Sequence, residues 1–279
     1  MAKIAVIGLI GTSTFMCVDH FHEKGETLIA HSVFNEVGGK GSNQAIAAAR
    51  MGAEVSFLAA IGDDDGGREC LQVTKENGVN PVFKTKEGKG TTFAFILTDK
   101  NGENRVTEFE GAELCPEDVL DFEKQIAECD ILLLQHEVPD EVNAKAVELA
   151  AKYNKKVILN PAPAREGADR YAEHLFAVTP NEQEVTLLDK SKFKNCITTL
   201  GSEGCDINGK IKIPAIKVKA VDTTGAGDTF NGVLSVCLAE GMNMETACRY
   251  AVTASGISVG GQYVINTIPY RKDIELKLQ

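Results

Sequence analysis

Short, wholly apolar runs alternate with longer stretches of helical period along most of this 279-residue chain. Residues 4–10, 55–60, 131–134, 157–159, 177–179 and 196–199 read as strands, and residues 43–51, 67–77, 116–128 and 139–153 read as helices. Strands without a polar face must be covered on both sides. The alternation therefore predicts an α/β fold with a mostly parallel central sheet between helix layers. Two places break the rhythm. Residues 91–97 and 105–109 flank the turn signal Asp99-Lys100-Asn101-Gly102, and residues 12–34 are rich in strand formers. Together they predict a small sheet outside the main one, built from about residues 10–36 and 90–110. A second hairpin is expected at 205–214 around Asn208-Gly209. With no repeat or linker in sight, residues 1–279 read as a single domain.

Hydrophobic residues make up 43% of the chain, enough for a large core. The formal net charge of −11 argues against a nucleic-acid or anionic-membrane surface. A protein this acidic must hold any phosphate with local groups. No apolar run approaches the ~20 residues of a membrane helix. The first ten residues lack a cleavage-site pattern and read as a buried strand rather than a leader. Eight cysteines form no CxxC pair, which fits reduced thiols and a cytoplasmic protein. His20 and His22 read as surface histidines, and Asp63-Asp64-Asp65 as an acidic turn after a strand.

The chemistry points to Asp222-Thr223-Thr224-Gly225-Ala226-Gly227-Asp228-Thr229-Phe230. Two glycines permit a tight turn that gathers backbone N–H groups at one point. The apolar stripe Phe230, Val233, Leu234, Cys237 and Leu238 then starts a helix, whose free N–H groups and positive dipole end add to that nest. Such a turn holds an anion, and Asp228 beside it is either a helix cap or a base. Gly38-Gly39-Lys40-Gly41-Ser42-Asn43-Gln44-Ala45 is a second glycine turn. It is not a nucleotide-binding Walker A loop, because the upstream glycine that motif needs is missing.

These two strings resemble the signatures of the ribokinase (PfkB-type) family of carbohydrate kinases. Asn160-Pro161-Ala162-Pro163-Ala164-Arg165, Thr179-Pro180-Asn181-Glu182 and Thr199-Leu200-Gly201-Ser202-Glu203-Gly204 follow in that family's order. The resemblance covers nearly the whole chain and implies a ribokinase-like three-layer fold with a β-sheet lid. It implies an ATP-dependent kinase acting on a sugar hydroxyl, with Mg2+ and a monovalent cation such as K+. Asp228 would be the catalytic base, with Gly225, Ala226 and Gly227 as the anion hole. Gly11, Ser13, Gly39, Lys40, Gly41, Asn43 and Glu137 would surround the substrate. Asn181, Thr199, Leu200, Gly201, Ser202, Gly204 and Gly227 would lie along the nucleotide. Asp222, Thr224, Ser258, Gly261, Tyr263 and Thr267 match the positions that ring the monovalent cation. Glu137 and Asn181 also admit plainer readings as residues at helix starts.

The chain departs from the ribokinase pattern in three places. Gly11 and Ser13 stand where ribokinases grip ribose with an Asn and an Asp. Nearby Phe15, Met16 and Val18 make the lid more apolar, so a hydroxylated substrate other than free ribose is expected, such as a nucleoside or a substituted sugar. Residues 186–196 are a short polar turn where ribokinases usually insert a helix, and Val252 replaces a His commonly found beside the adenine. A nucleoside kinase and a non-catalytic sugar sensor are the rival functions; retention of Asp228 in its glycine nest argues against the sensor. An apolar lid sheet left uncovered predicts a homodimer through the lid.

Overall fold

The computed structural model describes residues 1–279. Its central sheet has six parallel strands, β1 (Lys3–Ile7), β4 (Glu54–Ile61), β5 (Val79–Thr85), β8 (Ile131–Gln135), β9 (Lys156–Asn160) and β10 (Ala177–Val178). They are ordered β10-β9-β8-β1-β4-β5. Side chains alternate across this sheet, so each strand feeds two cores. Ile4, Val6, Phe57 and Leu133 join the core under α1 (Lys40–Arg50), α6 (Ala226–Ala239) and α7 (Met244–Ser258). Ala5, Ile7, Leu58 and Leu134 join the opposite core, with α3 (Pro116–Leu120), α4 (Glu123–Glu128) and α5 (Asp140–Lys152). This is the expected three-layer arrangement. Helices α2 (Asp65–Glu76) and α8 (Arg271–Leu278) complete it, and no helix is long and apolar enough to cross a membrane.

A separate four-stranded sheet contains β2 (Gly11–Cys17), β3 (Ser32–Gly38), β6 (Phe93–Thr98) and β7 (Asn104–Phe109), ordered β3-β2-β6-β7. Its segments fall where the strand formers and the Asp99–Gly102 turn put them. The hairpin near Asn208 is also present, as β12 (Cys205–Ile207) and β13 (Ile211–Ile213) beside β11 (Ile197–Thr199).

Several expectations need correction. Strand β1 stops at Ile7 rather than at residue 10, because the chain must leave the sheet where Gly8 passes Gly41 and Gln135; a Cβ on Gly8 would lie 2.8 Å from the Gly41 Cα. Strand β5 went unread because Pro81 sits within it. It is the edge strand, where a missing N–H is tolerated. The helix expected at 116–128 breaks at Asp121-Phe122 into α3 and α4. Helix α6 buries more than one face: every residue from Asp228 to Leu238 is buried, since α1 and α7 pack on either side. Asp64 caps α2 by accepting from the Gly67 N–H and ties down Thr91, and His20 pairs with Glu26.

Candidate active site

Asp228 lies in the first turn of α6, behind the N-cap Gly225. Gly225 has φ +73, a left-handed conformation that side chains disfavour, and a Cβ there would strike Val264 Cγ1 at 2.3 Å. Asp228 is therefore not the cap but the third helical residue, and its carboxylate turns inward. Asn43 Nδ2 donates to its Oδ2 at 2.9 Å and Gln44 Nε2 donates to its Oδ1 at 3.0 Å. Burial lifts its pKa from 3.8 to about 6, against the opposing pull of Lys40 and of these two amides.

Gln44 is the hub of this arrangement, and sequence reading gave it no role. Its Nε2 also donates to Asn160 Oδ1 at 3.1 Å, and its Oε1 accepts from Gln135 Nε2 at 2.8 Å. Asn160 in turn donates to the Thr179 carbonyl. Thr179 Oγ1 donates to Asn231 Oδ1, and Asn231 Nδ2 donates to the Gly227 carbonyl. The ends of β8, β9 and β10 are thus bonded through buried amides to α1 and α6. Only Asn43 Oδ1 and Gln135 Oε1 are left without a partner in it, and the remaining bonds hold these elements in one arrangement. The visible sequence signal was the Asn43-Gln44 pair itself, but nothing in it announced the partner 184 residues away.

Two adjoining compartments open here, and Asp228 lines the smaller of them. The smaller, about 330 Å³, is lined by Asp228, Asn43, Gly225, Gly227, Thr224, Asn181 and Thr199, among others. The larger, about 630 Å³, is lined by Gly11, Glu108, Glu110, Glu113 and His136 among others. Ser13, Gly39, Lys40 and Glu137 border both. Glu137 does more than precede a helix: its carboxylate accepts from Lys40 Nζ at 2.9 Å and from the Lys40 backbone N–H at 2.7 Å. Burial would lower the Lys40 pKa, but the Glu137 and Asp228 carboxylates outweigh it and raise the value.

Asn181 starts a turn and also borders the cleft. Its Oδ1 accepts from the Gln183 and Glu184 N–H groups, starting the short turn Glu184–Leu187, while the residue lines the smaller compartment. Glu184, another residue that sequence reading passed over, binds Asn181 Nδ2 and lines the same compartment; burial raises its pKa. Gly41 packs against Gly8 and Leu9 rather than facing the cleft. Leu200, Gly201, Ser202 and Gly204 form the turn after Thr199 and line neither compartment, and Ala226 opens α6 behind the glycine turn.

The residues expected around a monovalent cation gather beside this turn. Asp222 accepts from the Thr224 N–H at 2.9 Å and from the Tyr263 N–H at 3.3 Å, joining the two loops concerned. Thr267 Oγ1 donates to the Tyr263 carbonyl, Gly261 abuts Thr267, and Ser258 Oγ donates to the Ser255 carbonyl. One carboxylate among hydroxyl and backbone oxygens suits a hard cation of low charge. The four-stranded sheet reaches the same loop. Glu36 accepts from the Val264 and Ile265 N–H groups, and Phe34 stacks on Tyr263 with ring centroids 3.6 Å apart.

Residues 1–271 match the family described as pfkB family carbohydrate kinase. The chain belongs to that family. Among curated relatives, the ribokinase of Bacillus subtilis is 34% identical, with 99% of both chains covered. The ribokinase of Lactococcus lactis is 36% identical, covering 100% of this chain and 98% of that one. A solved ribokinase from Thermotoga maritima superposes with a TM-score of 0.88 at 35% identity, covering 100% of this chain and 99% of that chain. The pfkB assignment fits the three-layer core, the separate β sheet and the glycine turn of α6, and it makes this chain a carbohydrate kinase.

Proposed function

We propose that the protein transfers the γ-phosphate of ATP to a primary hydroxyl of a sugar or sugar derivative, with Asp228 as general base. The observation that carries this is the buried Asp228 carboxylate at the glycine nest of α6, held by two amides and lifted toward neutral pH. A base must be ionised in use yet basic enough to take a proton, and a value near 6 meets both needs. Its oxygens face a compartment bordered by Lys40 and Asn43, which are placed to bind hydroxyls.

The steps follow from the positions. Lys40, Asn43 and Glu137 orient the acceptor so that one hydroxyl meets Asp228, which takes its proton as the oxygen attacks phosphorus. The free N–H groups of Gly225 and Gly227, at the positive end of α6, receive the negative charge that spreads over the transferred oxygens, while the Ala226 N–H donates to the Thr223 carbonyl at 3.3 Å and shapes the turn. Asn181, Thr199 and the 201–204 turn border the nucleotide side. Mg2+ carried by ATP would sit near Glu184 and neutralise phosphate charge. K+ would be held by Asp222, Thr224, Ser258, Gly261, Tyr263 and Thr267, firming the loop behind the nest.

In this reading residues 1–279 form one kinase domain whose four-stranded sheet is the lid over the acceptor. Gly11 and Ser13 offer no carboxylate to ribose, and Phe15 and Phe34 add apolar surface, so the acceptor is a sugar derivative rather than free ribose. The experiment is ATP consumption over a panel of pentoses, hexoses, amino sugars and nucleosides, with Mg2+ and with K+ or Na+. Turnover on a sugar derivative, faster in K+, is expected. Preference for a nucleoside would select the nucleoside-kinase alternative, and no phosphorylated product from any compound would reject the reading.

The lid also supports a dimer. Strand register puts Met16, Val33, Phe93, Phe95, Leu97 and Phe109 on the face turned away from the cleft. Val33 and Phe109 are each 55% exposed. A four-stranded sheet face of this composition gains from being covered. Sedimentation at micromolar concentration should give about twice the 30.0 kDa chain mass; a monomer would reject the dimer.

A further inference from the structure

The acceptor end of the cleft is more acidic than a neutral sugar requires. Strand register aligns Glu36, Ser13, Ala94 and Glu108 in one row across the four strands of the lid sheet. This row faces the cleft: Ser13, Ala94 and Glu108 line the larger compartment. Beyond Glu108 the chain turns beneath the same compartment and adds Glu110 and Glu113 to its wall. All three glutamates are exposed, and none is paired with a Lys or Arg. The cations on these walls are already engaged. Lys40 is held by Glu137 at 2.9 Å, and Arg165 is held by Asp140 at 2.9 Å and by the Val138 carbonyl. Three carboxylates are left without a counter-charge.

A second, independent observation comes from the same wall. His136 follows β8 and is only 3% exposed, yet its Nδ1 has no partner in the fold. Burial, with Arg165 nearby, pushes its pKa down to about 4, so the ring is neutral and does not repel a cation. A buried ring nitrogen left without a partner, in a residue that lines the cleft, is a polar group the fold alone does not satisfy. Ala94, the small residue between Ser13 and Glu108, leaves the space in front of this wall open. The volume of about 630 Å³ suits an acceptor larger than a single small ring.

We infer that the acceptor carries an ammonium group at the end remote from its phosphorylated hydroxyl. This deepens the kinase reading and rests on it for the placement of the hydroxyl at Asp228. The ammonium enters the larger compartment and is held by Glu108, Glu110 and Glu113, with His136 as an uncharged neighbour. A cleft wall of one sign concentrates the opposite charge, and ammonium–carboxylate hydrogen bonds are strong ones. The same wall turns away sugar phosphates and sugar acids.

The test measures binding and turnover separately. Calorimetry would compare 2-amino-2-deoxy-D-glucose and 1-amino-1-deoxy-D-fructose, each beside its parent sugar and its N-acetyl derivative. At least one ammonium form should bind tenfold or more tighter than its parent, and acetylation should abolish the gain. The combined variant Glu108→Gln, Glu110→Gln, Glu113→Gln should close the gap; these exposed changes should leave the melting temperature near that of wild type. Parent sugars that bind as well as both ammonium forms, absence of binding included, would overturn the inference. Ammonium-selective binding without phosphoryl transfer would leave the charge preference standing and remove the kinase reading instead.

Discussion

Asp228→Asn should abolish most turnover while leaving the protein folded, and at neutral pH slightly more resistant to heat. Loss of a positioned base costs about 10²–10⁴-fold in rate. Acceptor KM should move far less, because Lys40 and Glu137 remain. The stability expectation follows from the same burial. The folded-state pKa of about 6 lies above the ordinary 3.8, so the fold favours the protonated carboxyl. That contribution is complete below about pH 4 and is lost as pH rises through about 6. Above this range the ionised group costs up to about 3 kcal/mol relative to its protonated form.

Asparagine removes the charge and keeps one acceptor oxygen, but sets an NH2 group opposite one of the two amide donors. Asn43 can absorb this, since its Oδ1 is unpartnered and its amide can turn over. Net stability at pH 7.5 should therefore equal or exceed that of wild type, and the pH dependence of melting between about 4 and 6 should flatten. In wild type, kcat/KM should fall about tenfold per unit below about pH 6. Turnover of the variant within tenfold of wild type would remove Asp228 from the base role. Loss of turnover with a collapsed melting temperature would make it a structural residue.

Much of the fold was legible because the chemistry of its segments is local. A strand buried on both faces needs an unbroken apolar run, and residues 131–134 and 157–159 display one. Asp99-Lys100-Asn101-Gly102 announces its hairpin. Strand β5 hid because Asn80, Pro81 and Lys84 are tolerated only on an edge, and edge position is a property of the assembled sheet. The break at Asp121-Phe122 was hidden too, because Phe122 continues the apolar period while its fully buried ring anchors the turn.

The site divides in the same way. Asp228 and its glycines were readable as one string. The Gln44 hub, the Glu36 contacts to Val264 and Ile265, and the carboxylates of the larger compartment were not. Each depends on which residues the topology brings opposite one another, with separations of 184 residues for Gln44–Asp228 and 229 for Glu36–Ile265.

Gly232→Ala tests whether that long-range alignment matters, at a residue that lines neither compartment. Gly232 lies on α6 where the helix crosses α1. An added Cβ would stand 2.5 Å from Ala47 Cβ, 2.6 Å from the Gln44 carbonyl oxygen and 3.0 Å from the Ala48 nitrogen. Ordinary carbon contacts need about 3.5–4.0 Å, and two of these neighbours are helical backbone that cannot swing aside. Alanine's better helix propensity returns about 1 kcal/mol. Overpacking at a rigid contact costs about 1–3 kcal/mol or more, so the variant should melt lower. The functional loss should be larger than the stability loss suggests. Asn43 and Gln44 precede the clash on α1 and donate directly to Asp228, so a shift of about 1 Å between the helices misplaces the base by a comparable amount. Misplacement on that scale can cost about 10²-fold. A variant that melts lower yet keeps kcat within a few-fold of wild type would show that the base needs no such alignment. One that loses kcat about 100-fold while still folded would mean that the α1–α6 spacing, set by a missing methyl group, is part of the catalytic apparatus.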